Sequence, residues 1–245
     1  MGAEGASGRE AGGTPPRGRG AAATVREYLE AILVAVILAL FAKAFVVEAF
    51  QIPSASMEDT LLVGDHVLVD KFVYGPHRGP WGRLLPYADV ARGDVVVFRS
   101  PEEPGRDFVK RAVALGGETV QVEDKRLLVD GTEPAEPYAS HRDPALLTGP
   151  DVPVTLRGRD AYGPFLVPRG TFFAMGDNRD DSRDSRFWGP APLDGVKGRA
   201  VLVYWSYDAG GASFTGRGAG VRRLLDTALH FFARSRWRRS FRAVR

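Results

Sequence analysis

Asp107-Phe108-Val109-Lys110-Arg111-Ala112-Val113-Ala114-Leu115 is a short run rich in Val and Ala, opened by an acid and closed by Gly116-Gly117. It has the length and the punctuation of a β-strand. In a strand the side chains alternate, so Phe108, Lys110, Ala112 and Ala114 share one face, and Val109, Arg111, Val113 and Leu115 the other. Both faces are otherwise apolar, and each carries one cation that is costly to bury. Two readings are open. An edge strand would let both long side chains reach out to water. Alternatively Lys110 is stripped of water on purpose, which disfavours the ammonium and lowers its pKa. A pKa brought from about 10.4 to about 7.5 costs roughly 4 kcal/mol and yields a base able to activate a serine hydroxyl near neutral pH.

Outward from this run the pattern repeats. Val67–Asp70, Asp94–Arg99, Thr119–Glu123, Arg126–Val129, Thr171–Met175 and Arg199–Trp205 are further short runs of Val, Phe and Leu bounded by Gly, Pro and Asp, with Asp130-Gly131 as a turn dipeptide. No useful helical period occurs between residues 61 and 205. The expectation is one all-β domain of coiled sheets, with the Pro- and Gly-rich stretch 132–165 as a long surface excursion.

The N-terminal end differs. Residues 1–23 have almost no large apolar side chains and read as a disordered tail. Ala31–Ala42 is unbroken apolar sequence, and Ala44–Val47 extends it past Lys43. A helix over Tyr28–Phe50 would be about 34 Å long, against about 30 Å for a hydrocarbon core. A buried helix of a soluble protein is one alternative, against which stands a run apolar on every face; a cleaved secretory signal peptide is the other. Arg9, Arg17, Arg19 and Arg26 precede the span, whereas the twenty residues after Phe50 hold no Lys or Arg but Glu58, Asp59, Asp65 and Asp70. The positive-inside rule then puts the N-terminus in the cytoplasm and the rest outside. The organisation read is a tail over 1–26, a transmembrane anchor helix over 27–49, an extracytoplasmic β domain over 50–208, and a linker with a basic C-terminal helix over 209–245. In that last segment Val221, Leu225, Ala228 and Phe232 repeat at helical spacing among arginines. It reads either as an interfacial helix or as an ordinary helix packed on the domain.

Composition narrows the chemistry. The net charge is +3 and there is no cysteine, which excludes disulfides, thiolate metal sites and a cysteine nucleophile. The basic excess lies at the ends, so the core does not suggest nucleic-acid binding. The four histidines, His66, His77, His141 and His230, lack metal-ligand spacing. No phosphate-binding loop is visible, and no metal or other cofactor is expected.

Two further stretches carry chemistry. Ile52-Pro53-Ser54-Ala55-Ser56-Met57 is a loop where the apolar span gives way to the β region. Gly176-Asp177-Asn178-Arg179-Asp180-Asp181-Ser182-Arg183-Asp184-Ser185-Arg186-Phe187-Trp188-Gly189 interleaves charges of both signs densely enough to fold through its own ion pairs. Together with the Lys110 strand, and with Gly64-Asp65, Lys71-Phe72 and Arg92–Phe98, these stretches resemble, in order, the boxes of the bacterial type I signal peptidase (leader peptidase) family over residues 27–205. The resemblance implies an all-β catalytic domain of signal-peptidase-type coiled β-sheets with one N-terminal transmembrane helix. It implies a membrane-bound serine endopeptidase of the bacterial inner (cytoplasmic) membrane. Its partners would be signal peptides of secreted preproteins with small residues at −1 and −3, the lipid bilayer and, by proximity, the secretion translocon. By resemblance Ser56 matches the nucleophile and Lys110 the general base. Ser54 and the Ser56 N–H match the oxyanion hole, and Ser182 the hydroxyl orienting the lysine. Asp184 with Arg186, and Arg111 with Asp177, match supporting ion pairs. Ile52, Pro53, Met57, Leu61, Phe108 and Val109 match positions lining shallow substrate pockets. The chain departs from the pattern at Asp59, where Pro is frequent, at Asp181, where Asn is usual, and at Gly117-Glu118. Two other readings stay in view: a self-cleaving Ser–Lys protease, which would carry a DNA-binding domain, and an inert peptide-binding β module, which would tolerate loss of Ser56 or Lys110.

Overall fold

The computed structural model describes residues 21–74, 87–103, 105–208 and 219–245, with the side chains of 21–24 and 219–225 left aside. The chain divides after Ala42. In the first unit, helix α1 (Ala21–Phe41) exposes Ile32, Leu33, Val34, Ile37, Leu38 and Phe41 on all sides. Val25–Val46 is long and apolar enough to cross a membrane. Most of the 1–26 tail and all of 209–218 lie outside the described residues.

The second unit, Lys43–Arg245, is built on β-sheet. Its strands in chain order are β1 (Val47–Gln51), β2 (Asp65–Asp70), β3 (Val95–Arg99), β4 (Asp107–Leu115), β5 (Thr119–Glu123), β6 (Arg126–Val129), β7 (Tyr162–Leu166), β8 (Thr171–Met175), β9 (Ala191–Pro192), β10 (Val196–Ser206) and β11 (Arg242–Ala243). Between them lie the one-turn helix α2 (Ser185–Trp188) and helix α3 (Ala219–Arg234). The larger sheet runs β1-β2-β10-β3-β4-β8-β9, with β11 added to β10; the smaller runs β6-β5-β7. All these pairings are antiparallel, and register shifts along β10 and β4 curl the large sheet.

Three places differ from the sequence reading. The anchor helix does not run to Phe50: the chain leaves α1 at Phe41, and Val47–Gln51 pairs with β2 from Val47↔Asp70 to Gln51↔His66. Apolar β-branched sequence suits helix and strand alike, and here a partner strand decides. The 132–165 stretch is not purely irregular, because its end forms β7, paired to β5. In α3 the described members of the apolar stripe, Ala228 and Phe232, face outward, as does Leu229. The helix meets the sheet through Asp226, Arg234 and the ring of Phe231 instead. Tyr207 donates to Asp226 Oδ2 at 2.8 Å, Arg234 to the same carboxylate at 3.0 Å, and Phe231 lies 5.7 Å from Trp205, centroid to centroid.

The sheet layout settles the first ambiguity. β4 is not an edge strand: β3 pairs with one side of it and β8 with the other. Its two faces enter different cores. Val109 joins Ile52, Met57, Leu61, Val67 and Val97, Val113 joins the core beneath the small sheet, and Ala112 joins Val96, Phe98 and Phe172. Phe98 and Phe172, both fully buried, meet edge-on at 5.2 Å. Side chains of this kind contribute about 1.5–3 kcal/mol each, and that packing holds the two buried cations of β4 in place.

Candidate active site

Lys110 sits mid-strand on β4 and is only 4% exposed. Its Nζ donates to Ser182 Oγ at 3.0 Å. Burial, opposed by the charge of Asp184, pushes its pKa down to about 8. The amine is thereby brought into the range where a base can lose and regain a proton in turnover.

Ser182 follows a 3-10 turn over Arg179–Asp181 and precedes Asp184, the cap of α2. Asp184 is fully buried and takes Arg186 Nε and Nη2, both at 2.8 Å, together with Gly176 N–H at 3.0 Å. Burial alone would raise its pKa; the charge and hydrogen bonds of Arg186 outweigh that and hold it below the ordinary carboxylate range. Arg186 also donates to the carbonyls of Arg159 and Arg179.

Ser56 lies in a 3-10 turn, Ala55–Met57, which Pro53 and the buried Ile52 lead into. Its carbonyl accepts from Asn178 N–H at 3.1 Å, and the Asn178 amide donates to Ala55 O at 3.2 Å. The Ser54 and Ser56 hydroxyls are 3.4 Å apart. Gly176 stands where the two loops touch. A Cβ there would fall 2.2 Å from Ser182 Oγ and 2.4 Å from Ser56 O, so no side chain fits.

On the opposite face of β4, Arg111 is 1% exposed and fully engaged. Nε and Nη2 bind Asp177 at 2.9 and 2.7 Å, Nη1 donates to Gly93 O at 2.6 Å, and the guanidinium lies 3.7 Å over the Tyr138 ring. Thr60 Oγ1 donates to the same Asp177 at 2.6 Å.

Ser56 and Lys110 line one open cleft of about 430 Å³, with Ile52, Pro53, Ser54, Met57, Phe108 and Val109 among its walls. That is a volume usual for a binding site. Leu61, expected in the substrate pockets, is not among the lining residues: it is 0% exposed and packs beneath them with Ile52 and Met57. An apolar side chain one turn beyond the serine loop is drawn into the core rather than the cleft. Gly176, Asn178, Thr60 and Arg179 were not singled out from the sequence. All but Thr60 stand in the Gly176–Gly189 motif, but the contacts of Gly176 and Asn178 to the Ser56 loop lie over a hundred residues away in the chain and leave no local signal.

A serine hydroxyl and an amine whose pKa is lowered to about 8, in one cleft, are the equipment of a serine-type hydrolase. The family model described as "Signal peptidase, peptidase S26" matches residues 25–205. The chain is 35% identical over 207 residues to signal peptidase I of Pseudomonas aeruginosa, covering 74% of this chain and 72% of that one. It is 31% identical to signal peptidase I of Aquifex aeolicus, covering 74% and 85%, and 37% identical to that of Leptolyngbya laminosa, covering 73% and 79%. This chain belongs to the signal peptidase family, peptidase S26, and is a serine-type peptidase.

Proposed function

We propose that this protein is a membrane-anchored endopeptidase that releases signal peptides from secreted preproteins, with Ser56 as nucleophile and Lys110 as general base. The observation that carries the reading is the Lys110 amine: buried mid-sheet, held by Ser182 at 3.0 Å, and lining the same cleft as Ser56.

In this scheme Lys110 accepts the Ser56 proton as Oγ attacks the scissile carbonyl. A Ser56–Lys110 hydrogen bond forms when substrate is engaged, since catalytic contacts commonly close only in the substrate complex. The new C–O bond leaves charge on the former carbonyl oxygen, which the Ser56 N–H and Ser54 hydroxyl stabilise. Collapse breaks the C–N bond, and Lys110 returns the proton to the departing amine. Water then attacks the Ser56 ester and gives a proton to Lys110; Lys110 returns it to Ser56 Oγ as the ester C–O bond breaks, and the signal peptide leaves as a carboxylic acid that ionises in water. Asp184–Arg186 and Arg111–Asp177 hold the loops around this centre. The substrate lies extended as an added strand, its small −1 and −3 side chains against Ile52, Pro53, Met57, Phe108 and Val109.

Val25–Val46 is the anchor, with the N-terminal arginines on the cytoplasmic side and residues from Val47 onward outside the bacterial cytoplasmic membrane, near the translocon that delivers preproteins. Cleavage of a labelled preprotein in detergent, with the cut mapped by mass spectrometry, tests the reading. Ser56→Ala and Lys110→Met should each lower kcat/KM by at least about 10³-fold while still unfolding cooperatively and at no lower temperature than the native protein. Near-native turnover by either variant excludes the dyad.

A further inference from the structure

The 132–165 stretch is joined to the loop of Ser182 by more than proximity. Arg179, 1% exposed, opens the turn that delivers Ser182. Its guanidinium takes both oxygens of Glu136, at 2.7 and 2.6 Å, while its Nε donates to Gly176 O at 3.2 Å. Beside this fork the backbones are bridged. Ser140 N–H donates to Asp177 O at 2.8 Å, and Arg179 N–H donates to Ser140 O at 2.9 Å. The Arg179 carbonyl in turn accepts from Arg186, the partner of Asp184. Thus the Arg179 guanidinium ties Glu136 to Gly176 on the N-terminal side of Ser182, while the Arg179 carbonyl ties the same turn to Arg186 on the C-terminal side.

The consequence falls on Lys110. Among the described residues its one hydrogen bond goes to Ser182 Oγ. A shift of that hydroxyl by a few tenths of an ångström lengthens the contact that aims the amine, and hydrogen bonds weaken steeply with poor geometry. Gly176 leaves no slack in the other direction, since Ser182 and the Ser56 carbonyl already fill the space at its Cα. A bidentate carboxylate–guanidinium pair fixes orientation as well as distance, which suits a part whose role is alignment.

We infer that Glu136 is a positioning residue for the reaction, acting through Arg179 to set the Ser182 hydroxyl that aims Lys110. The inference rests on the reading of Lys110 as base.

A double-mutant cycle tests it, using the full-length protein in detergent and a labelled preprotein. Glu136→Gln keeps the side-chain shape and removes the charge. It should lower kcat roughly tenfold with KM changed by less than about twofold. In a Ser182→Ala background, where there is no hydroxyl left to place, the same change should alter the residual kcat by less than about twofold. If Glu136→Gln costs the same factor in both backgrounds, moves KM alone or leaves kcat unaltered, the inference is overturned while the lysine reading stands. If Ser182→Ala itself cleaves at the native rate, the orienting role of Ser182 fails, and the inference with it. Should Glu136→Gln not melt cooperatively, Glu136→Asp takes its place in the cycle; it keeps the charge and withdraws the carboxylate by one methylene.

Discussion

The two faces of β4 put adjacent cations into the same protein interior and treat them in opposite ways. Arg111 meets a carboxylate in bidentate contact, the backbone carbonyls of Gly93 and Arg245, and an aromatic ring. Lys110 meets one neutral hydroxyl. Burial penalises charge on both faces, but only on the Arg111 face is it answered by an opposite charge in direct contact. Asp184 is the counter-charge that opposes burial most at Lys110, yet its own hydrogen bonds go to Arg186 and to backbone N–H groups. A guanidinium keeps its proton under nearly any conditions, whereas an ammonium can give it up. So one face of the strand uses a buried cation as a structural tie, and the other uses a buried amine as a base. The lesson is that burial by itself does not define a catalytic lysine; burial with the counter-charge kept one contact away does.

Breaking the structural face should have the largest effect on stability. Asp177→Asn leaves Arg111 charged and buried without its partner and should lower the unfolding free energy by about 3 kcal/mol or more, measured by urea denaturation at pH 7. A loss below about 1 kcal/mol would mean that Gly93 O, Tyr138 and Thr60 suffice for Arg111.

Breaking the catalytic face should do the reverse. In the unfolded chain a lysine holds its proton to about 10.5, whereas folded Lys110 releases it at about 8. Between those values the unfolded state binds the extra proton, so stability rises with pH; below pH 8 the whole cost of burying the amine remains. Lys110→Met removes that cost. The variant should therefore be more stable than the native protein by about 3 kcal/mol below pH 8, with the difference fading towards pH 10.5. Equal or lower stability at pH 7, with no convergence at high pH, would contradict the lowered pKa assigned to Lys110.

The smallest effect sharpens the comparison. Native kcat/KM should fall about tenfold for each pH unit below the Lys110 pKa, as the base becomes protonated. Asp181 lines the cleft, and its negative charge favours the protonated amine. Asp181→Asn should move this acid limb to lower pH, by less than about one unit because the carboxylate is exposed. A shift in the other direction, seen in a pH–rate profile, would assign the limb to another group.

Much of this was legible from alternation and punctuation. β4, β5, β6 and β8 lie where Val-, Phe- and Leu-rich runs between turn residues put them, and the apolar run up to Phe41 reads plainly as a helix without a polar face. β1 was hidden because Val46, Val47 and Phe50 continue the apolar run, and only β2 marks where the helix stops. β7 was hidden in Tyr162-Gly163-Pro164-Phe165-Leu166, whose Gly and Pro read as loop until β5 pairs with it. At the site, Ser56, Lys110, Ser182 and the two ion pairs stood in motifs, while Leu61 looked like a cleft residue and proved to be core. The partnership of Glu136 with Arg179 joins residues 43 positions apart and has no periodicity to betray it.

The sequence by itself determined which segments alternate, which is apolar all round, and which side chains could act as base and nucleophile, because those are properties of single segments and their local period. Only the tertiary structure decided that β4 is central rather than an edge, that Lys110 has a hydroxyl while Arg111 has a carboxylate, and that the 132–165 stretch closes on the Ser182 loop. Burial and counter-charge depend on what packs against a residue, and those neighbours come from distant parts of the chain.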